Sequence, residues 1–182
     1  MPRTIGVLAL QGDFAAHERA VSAAGLLSRP VRRAEELAGL DGLILPGGES
    51  TTQLQLLGRH QLEEPLRAFV ASGAPVLATC AGLILAAQVV ERPAQASFGF
   101  LDVTVARNAW GRQLDSFEAV ADDGVTALLF IRAPRILRVG PQVQVLATLA
   151  GEPVMVQQHN VTGATFHPEL TPSATVHRRV FS

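Results

Sequence analysis

The fold is decided by the segment PVLATCAGLILAAQVV, which spans residues 75–90. Its first part, residues 75–79, is a short apolar run of the kind found in strands that are buried on both faces. Small residues surround Cys80, and the apolar spacing that follows predicts a helix over residues 83–90. A buried strand that passes directly into a helix is the building unit of α/β proteins with a parallel sheet.

The same unit recurs earlier in the chain. An apolar strand is predicted over residues 4–10, with Asp13 as the N-cap of a helix that runs to about residue 24 and ends before Gly25. The next predicted elements are a strand at 41–45 and helices at 53–57 and 62–71. Short β-like runs separated by turns follow at 101–105, 127–131, 143–148, 154–158 and 161–166, with a last helix near 174–180. We therefore predict one three-layer α/β/α domain over residues 1–182, with a mainly parallel central sheet and antiparallel strands in its C-terminal half.

Size and composition narrow the possible classes of protein. A chain of 182 residues with 48% hydrophobic and 17% charged residues fits one compact domain and is too apolar for a disordered chain. No uncharged apolar run approaches the roughly 18–20 residues of a membrane helix, so no membrane partner is expected. The net charge of −1 leaves no basic excess, which argues against a nucleic-acid partner.

Missing residue types exclude specific chemistry. All 15 basic residues are arginines, so a P-loop lysine, a Schiff-base lysine and a lysine nucleophile are excluded. The chain has no tyrosine, so no phenol can act as an acid or a base. A single cysteine excludes an internal disulfide and a cysteine-rich metal cluster, and it makes a reducing, cytoplasmic location the expected one.

Cys80 stands at the predicted junction of strand and helix, with Ala78, Ala81 and Gly82 as small neighbours. A nucleophile at such a turn needs small neighbours, because the backbone is tight and the side chain must project into a cleft. The first turn of the following helix favours a thiolate, and the N–H of Ala81 is placed to stabilise an oxyanion. The alternative is a buried cysteine that acts as a small hydrophobic residue.

His167 and Glu169 form a His-Pro-Glu sequence just after the predicted strand at 161–166. In an extended segment the two side chains face the same side, so Glu169 can hold the tautomer and orientation of the imidazole. The other ring nitrogen then reaches a nucleophile, and Cys80 completes a set of nucleophile, base and orienting residue. The alternative is a solvated loop histidine. The remaining histidines are predicted to lie at the surface: His17, His60, His159 and His177.

Two further regions hold candidate binding groups. The segment PGGESTT at 46–52 follows a strand end, where its glycines can present bare N–H groups to an anionic oxygen. An ordinary turn with Ser50 or Thr51 as a helix cap is the alternative, and a P-loop is excluded because the required pattern is missing. Arg107 opens the polar loop RNAWGRQ and Arg132 follows another strand. Arginine suits carboxylate recognition, although surface solubility explains many single arginines.

Five segments together carry a resemblance to a known family. In chain order they are LALQGDF (8–14), PGGEST (46–51), TCAGLI (79–84), RNAWGRQ (107–113) and FHPE (166–169). In these segments the chain closely resembles the glutaminase subunits of pyridoxal 5′-phosphate synthase, which belong to the triad (class I) glutamine amidotransferases. The resemblance covers essentially the whole chain and implies the α/β/α fold of that class. The first and fourth segments distinguish these subunits from other class I amidotransferases.

The resemblance implies a role for each matching residue. Cys80 is the expected nucleophile, His167 the expected acid and base, and Glu169 the residue that orients His167. The expected glutamine-binding positions are Gly47, Gly48, Glu49, Arg107, Ile131 and Arg132. No metal and no cofactor are expected.

The resemblance also implies an oxyanion hole formed by the N–H groups of Gly48 and Ala81. Gln11 is expected to help organise this hole and to lie at the surface that meets the synthase partner. Two residues depart from the family pattern. Ala78 replaces the glycine that usually stands two residues before the nucleophile, which is tolerable only if that backbone needs no positive φ. Trp110 replaces the tyrosine or phenylalanine that is common in the polar loop.

The implied reaction is hydrolysis of L-glutamine to L-glutamate and ammonia. The ammonia is expected to pass to a (β/α)8-barrel synthase subunit, within a large hetero-oligomer, which builds pyridoxal 5′-phosphate from a pentose phosphate and a triose phosphate. The lack of lysine agrees with this division, because this chain cannot hold a sugar as an imine. Glutaminase activity is expected to be low alone and to rise when the partner docks. Two other classes stay open: a γ-glutamyl peptidase with the same triad, and a non-catalytic binding subunit.

Overall fold

The computed structural model describes residues 2–107 and 116–182. In these ranges the strands are β1 (Thr4–Leu8), β2 (Leu27–Val31), β3 (Gly42–Leu45), β4 (Val76–Thr79), β5 (Ala87–Glu91), β6 (Leu101–Ala106), β7 (Phe117–Val120), β8 (Ala127–Phe130), β9 (Arg135–Val139), β10 (Gln144–Leu149), β11 (Glu152–Gln158) and β12 (Val161–Ala164). The helices are α1 (Phe14–Ala23), α2 (Ser50–Arg59), α3 (Glu63–Ala71), α4 (Ala81–Ala86) and α5 (Thr175–Phe181). Short 3₁₀ turns cover Ala34–Leu37 and Pro168–Leu170.

The central sheet has seven strands in the order β10-β11-β12-β4-β3-β1-β2. The five strands from β12 to β2 run parallel to their neighbours, whereas β11 is antiparallel to both β12 and β10. This arrangement confirms the predicted parallel sheet with antiparallel strands in the C-terminal half. Parallel strands need both faces covered, and β3, β4 and β12 in the middle of the sheet are buried along their whole length.

Apolar side chains on the two faces of the sheet belong to two separate cores. Leu43 and Leu45 of β3 pack into the core that also holds buried side chains of α2, α3 and α4. Ile44, between them, packs into the opposite core together with residues of α1 and α5. The alternation follows from the period of two in a strand. It produces the three layers that the sequence predicts.

One predicted element in the segment 75–90 is wrong. The helix ends at Ala86, and the following residues form β5, which pairs in parallel with β6. Val89 and Val90 pair there with Thr104 and Val105. Consecutive β-branched residues favour a strand once a partner strand is present, and this pairing outweighs the helical spacing of the apolar residues.

The carboxyl ends of neighbouring parallel strands bring the candidate site residues to one edge of the sheet. Gln11 follows β1, Gly47 follows β3, Cys80 follows β4 and His167 follows β12. Open α/β sheets bind ligands in the crevice at this edge. Among the described residues, none of the helices combines the length and apolar character that a membrane crossing requires.

Candidate active site

Cys80 occupies a strained turn between β4 and α4. Its φ of 47° and ψ of −104° lie in a region that side-chain-bearing residues rarely adopt. The turn is anchored by the N–H of Cys80, which donates to the carbonyl of Ala164 in β12 over 2.9 Å. The helix that follows packs closely on β3, because a Cβ at Gly82 would lie 2.0 Å from the carbonyl oxygen of Leu45. A small residue at this position is therefore required by packing, as the sequence predicts.

Ala78 tolerates the position that the family pattern gives to glycine. It lies within β4 and is not among the residues with positive φ, so no strain falls on its Cβ. The strained backbone lies two residues later, at Cys80. This residue lines a cleft, although it is only 6% exposed.

His167 connects Cys80 with Glu169. Its Nδ1 lies 2.7 Å from Oε1 of Glu169, which leaves Nε2 for the hydrogen bond with Cys80. His167 is 6% exposed and is therefore not a solvated loop histidine. The predicted extended segment is wrong in detail, because the 3₁₀ turn Pro168–Leu170, rather than an extended strand, places the carboxylate beside the ring.

The charge of His167 is set by its two partners. Burial lowers its pKa, but the hydrogen bonds to Cys80 and Glu169 outweigh burial and raise the pKa to about 10. The ring is therefore an imidazolium at neutral pH. An imidazolium between a sulfur and a carboxylate can donate a proton to a leaving group and later accept one from water.

The loop after β3 is tied to the loop after β1. Gln11 Oε1 accepts a hydrogen bond from the N–H of Glu49 over 2.8 Å, and the N–H of Asp13 donates to the carbonyl of Gly47 over 3.2 Å. Gln53, which was not predicted as a site residue, donates its Nε2–H to the carbonyls of Gln11 and Gly47 over 3.0 and 3.3 Å. A movement of Gln11 would therefore be transmitted to the predicted oxyanion loop.

The two glycines of this loop have distinct requirements. A Cβ at Gly47 would lie 2.6 Å from Cε1 of His167, so any side chain there would displace the imidazole. Gly48 has a φ of 147°, which only glycine adopts readily. Helix α2 begins at Ser50 without a side-chain cap, and the Ser50 hydroxyl donates to Gln95 over 2.9 Å. Neither Ser50 nor Thr51 therefore caps α2, so this part of the alternative is wrong.

Ile131 and Arg132 form the opposite side of the cleft. The carbonyl of Ile131 lies 3.9 Å from Sγ of Cys80, and Nη2 of Arg132 lies 3.5 Å from Oε1 of Glu49. Both side chains of this ion pair are more than half exposed, at 62% and 56%. Opposite charges thus stand together at the mouth of the cleft, within reach of solvent.

Arg107 lies farther along the same cleft. Its Nη2 donates to Oγ1 of Thr51 over 3.2 Å, so it contacts the first turn of α2. The other predicted residues of this polar loop, 108–113 with Trp110, lie outside the described residues. Arg107 itself keeps its predicted place beside the candidate site.

Most predicted site residues share one cleft with a volume of about 440 Å³. Its lining includes Gln11, Gly48, Glu49, Arg107, Ile131 and Arg132, together with Cys80 and His167. Gly47 lies beside His167, and Ala81 is the first residue of α4, where backbone N–H groups have no partner within the helix. The structure thus brings the predicted set together, while the role of each member stays a prediction.

His17 and His177 contradict the predicted surface location, since both are 0% exposed. His60 and His159 are exposed, as predicted. The position of His17 in α1 could have predicted its burial. It lies three residues after Phe14 and four before the buried Val21, which places it on the face of the helix that packs on the sheet.

Comparison with known proteins decides the family. The SNO glutamine amidotransferase family matches residues 7–181. The chain belongs to this family. Pyridoxal 5′-phosphate synthase subunit PdxT of Carboxydothermus hydrogenoformans is 49% identical over 180 residues, 96% of this chain and 94% of that protein. The PdxT subunit of a Parafrankia species is 54% identical over 181 residues, 96% of this chain and 89% of that protein.

Solved structures agree with membership of the SNO family. A crystal structure of a glutamine amidotransferase has a TM-score of 0.90 and 43% identity, covering 97% of this chain and 96% of that chain. PurLQS of Thermotoga maritima has a TM-score of 0.68 at 15% identity, covering 98% of this chain and 97% of that chain, and so shares the fold alone. The predicted resemblance, made on five segments, is confirmed.

Proposed function

We propose that this protein hydrolyses L-glutamine to L-glutamate and ammonia, and that the ammonia feeds the synthesis of pyridoxal 5′-phosphate by a partner subunit. Membership of a glutamine amidotransferase family and similarity to PdxT subunits support the reaction and its destination. The observation that carries the proposal is the chain of contacts from Cys80 through His167 to Glu169, at the base of an open cleft. Nucleophile, acid–base group and orienting carboxylate are the parts that amide hydrolysis through a thioester requires.

The first half-reaction releases ammonia. Sγ of Cys80 attacks the side-chain amide carbon of glutamine, a C–S bond forms, and the carbonyl oxygen takes the negative charge. The N–H groups of Gly48 and Ala81 stabilise this oxyanion. His167 gives its proton to the amide nitrogen, the C–N bond breaks and ammonia leaves, so that a γ-glutamyl thioester remains on the sulfur.

The second half-reaction restores the enzyme. Water attacks the thioester carbon while the neutral imidazole of His167 takes one of its protons. The C–S bond breaks, the thiolate returns to Cys80, and the new carboxyl group ionises as glutamate. Glu169 holds the Nδ1–H of His167 throughout, so that Nε2 faces the reacting atoms in both halves.

The mouth of the cleft suits the zwitterionic end of glutamine. Arg132 presents a guanidinium, which binds carboxylates, and Glu49 presents a carboxylate, which binds an ammonium group. Their side chains are 3.5 Å apart and exposed, so a substrate can replace the contact between them. Ile131 and Arg107 complete the proposed glutamine site on either side.

Ammonia is useful only if it reaches an acceptor, because at neutral pH free ammonia is mostly protonated and diffuses away. We therefore propose that a (β/α)8-barrel synthase subunit docks near Gln11, in a large cytoplasmic hetero-oligomer. Gln11 holds the N–H of Glu49 through its side chain and Gln53 through its carbonyl. Contact at Gln11 is expected to set the orientation of Gly48, and so to raise glutaminase activity above that of the isolated chain.

The test is ammonia release from glutamine by the wild type and by Cys80→Ala, each with and without the cognate synthase subunit. We expect activity that rises with the synthase subunit, and a loss on the order of 10⁵-fold or more in Cys80→Ala, because the three residues act as a unit. A diazoketone analogue of glutamine should label Cys80, as detected by mass spectrometry of the peptide.

Three outcomes would contradict the proposal. Near wild-type activity in Cys80→Ala would remove the nucleophile, and a failure to label Cys80 would favour a non-catalytic subunit. Rapid hydrolysis of γ-glutamyl peptides without any partner, with little activity on glutamine, would favour the peptidase alternative.

A further inference from the structure

We infer that His17 is a positioning residue of the glutaminase reaction, which holds the second carboxylate oxygen of Glu169 and so fixes the orientation of the His167 ring. The inference rests on the proposed function, because it concerns the same reaction. It adds to the Cys80–His167–Glu169 set a residue from α1 that does not line the cleft.

The contacts of Glu169 divide between its two oxygens. Oε1 accepts the Nδ1–H of His167 over 2.7 Å, and Oε2 lies 3.3 Å from Nε2 of His17. That nitrogen also lies 3.1 Å from Oγ1 of Thr79, the residue before Cys80, which is within hydrogen-bond distance. Among residues 2–107 and 116–182, Oε2 has no hydrogen-bond partner, and its 3.3 Å contact with Nε2 of His17 is a charge–dipole contact rather than a hydrogen bond. Both side chains are fully buried.

The chemistry of the contacts fixes the tautomer of His17. A carboxylate oxygen only accepts hydrogen bonds and would repel a bare ring lone pair 3.3 Å away, so Nε2 of His17 must carry the hydrogen. Burial lowers the pKa of His17 well below its usual value, and repulsion by the protonated forms of His177 and then of His167 lowers it further, so the ring is neutral and Nδ1 is an acceptor. The group that faces this acceptor is Nε2 of His177, 3.0 Å away, which therefore donates.

His177 agrees with this assignment. Burial lowers its pKa to about 4, so it too is neutral and carries a single ring hydrogen. With that hydrogen on Nε2, its Nδ1 is a bare lone pair, and this atom has no hydrogen-bond partner in the described part of the chain. A buried acceptor without a partner is better tolerated than a buried N–H without one. The hydrogens therefore point in one direction, from His177 to His17 and from His17 towards Thr79 and Glu169.

The direction of these hydrogens explains how His17, which does not line the cleft, affects the reaction. Without the donor at His17, the buried Oε2 would lose its compensating contact, and Glu169 would rotate towards another donor. Rotation would weaken the 2.7 Å contact that holds His167, and Nε2 of His167 would then lose its alignment with Cys80. Binding of glutamine would not change, because His17 does not line the cleft.

The experiment compares His17→Gln with His17→Asn, in the full chain with its cognate synthase subunit. Both substitutions place a neutral amide on the same helix, but only the longer glutamine carries its NH₂ to the place of Nε2. We expect kcat for ammonia release to stay within about threefold in His17→Gln and to fall about 10- to 100-fold in His17→Asn, the range seen for groups that orient a metal-bound histidine. The KM for glutamine should be unchanged in both variants.

The two variants also separate positioning from a general loss of stability. Each variant loses one contact of residue 17. His17→Gln loses the contact with His177, and His17→Asn loses the contact with Glu169. The thermal unfolding temperature should therefore shift in both variants. If kcat follows the unfolding temperature instead of the reach of the amide, or if the two variants are equally active, the inference is overturned. An inactive wild type would contradict the proposed function instead.

A measurement on the unaltered protein covers the case in which neither variant folds. The ¹⁵N chemical shifts of the His17 ring report its tautomer, and we expect the hydrogen on Nε2 at neutral pH. A hydrogen on Nδ1, or a protonated ring, would overturn the inference whether or not the protein hydrolyses glutamine.

Discussion

The two sides of Glu169 hold histidines with opposite behaviour. On the cleft side, hydrogen bonds to Cys80 and Glu169 overcome burial and raise the pKa of His167 to about 10. On the far side, burial lowers the pKa of His17 well below its usual value and that of His177 to about 4. All three rings are nearly or completely buried, so burial alone does not explain the difference.

The difference lies in what each ring faces. His167 has a carboxylate oxygen at 2.7 Å and the sulfur of Cys80 as its second partner. His17 has Thr79 as its hydrogen-bond partner at Nε2, where the other carboxylate oxygen lies 3.3 Å away, and its second partner is another neutral histidine. One carboxylate thus favours a cation on the side where the reaction needs a proton, while neutral rings on the other side hold it in place.

The largest loss of activity is expected from Glu169→Gln, which removes the negative charge of the carboxylate that lies between His167 and His17. A neutral amide neither stabilises the imidazolium nor fixes the tautomer of His167, so kcat should fall about 10³- to 10⁴-fold. Initial rates of ammonia release at saturating glutamine measure this loss. A fall of less than tenfold would show that the carboxylate does not orient the reacting histidine.

The pH profile of the same variant gives its control. A histidine whose pKa is raised to about 10 keeps its proton below that pH, so wild-type activity should decline only as the pH rises through about 10. In Glu169→Gln one of the groups that raise the pKa of His167 is gone, and the alkaline decline should move to lower pH. An unchanged alkaline limb would contradict the assignment of this titration to His167.

The next prediction concerns the loss of stability in acid that the buried histidines His17 and His177 cause. In the unfolded chain a histidine binds a proton near pH 6.5, whereas folded His177 does so only near pH 4. Between these values the unfolded chain binds more protons, so the free energy of unfolding must fall as the pH decreases from 6.5 to 4. His177 contributes a loss on the order of 3 kcal/mol over this window, and His17, whose pKa is also lowered, adds to it in the same direction.

The variant His177→Gln isolates this contribution. Its side-chain NH₂ can still donate to Nδ1 of His17, but it has no proton to gain. Urea unfolding at pH 7 and pH 5 should therefore show a smaller loss of unfolding free energy in the variant than in the wild type. Carboxylates that titrate in acid are common to both proteins and cancel in the comparison. Equal losses would show that His177 is not a buried neutral ring.

The sequence was sufficient for the cleft side, because that side is built from strand ends. Gly47, Cys80 and His167 each follow an apolar run directly, and the carboxyl ends of parallel strands meet at one edge of a sheet. Local sequence therefore identified both the elements and the edge at which their last residues converge. The single-domain organisation stays a prediction.

The arrangement of His17 and His177 could not be predicted, because it depends on contacts between distant parts of the chain. His17 and His177 are 160 residues apart, and nothing near either residue indicates that the other lies beside it. β5 depends on β6 in the same way, since its valines form a strand only against that partner. The strands β2, β7 and β9 were also not predicted. β2 contains Pro30 and lies at the edge of the central sheet, where weak strand patterns are tolerated.

The smallest structural effect, and the sharpest separation of binding from catalysis, is expected from Arg132→Gln at the mouth of the cleft. Its ion pair with Glu49 is more than half exposed, so its loss should change the free energy of unfolding by less than about 1 kcal/mol. The proposed carboxylate contact with glutamine would be lost as well, which raises KM about tenfold while kcat changes less than about twofold, because the reacting atoms are untouched. Arg59→Gln, at the far end of α2, is the matched control and should leave both constants unchanged. If Arg132→Gln instead lowered kcat and left KM unchanged, Arg132 would act on the transition state. The proposal that the residues at the mouth of the cleft bind glutamine, while Cys80 and His167 carry out the reaction, would then be wrong.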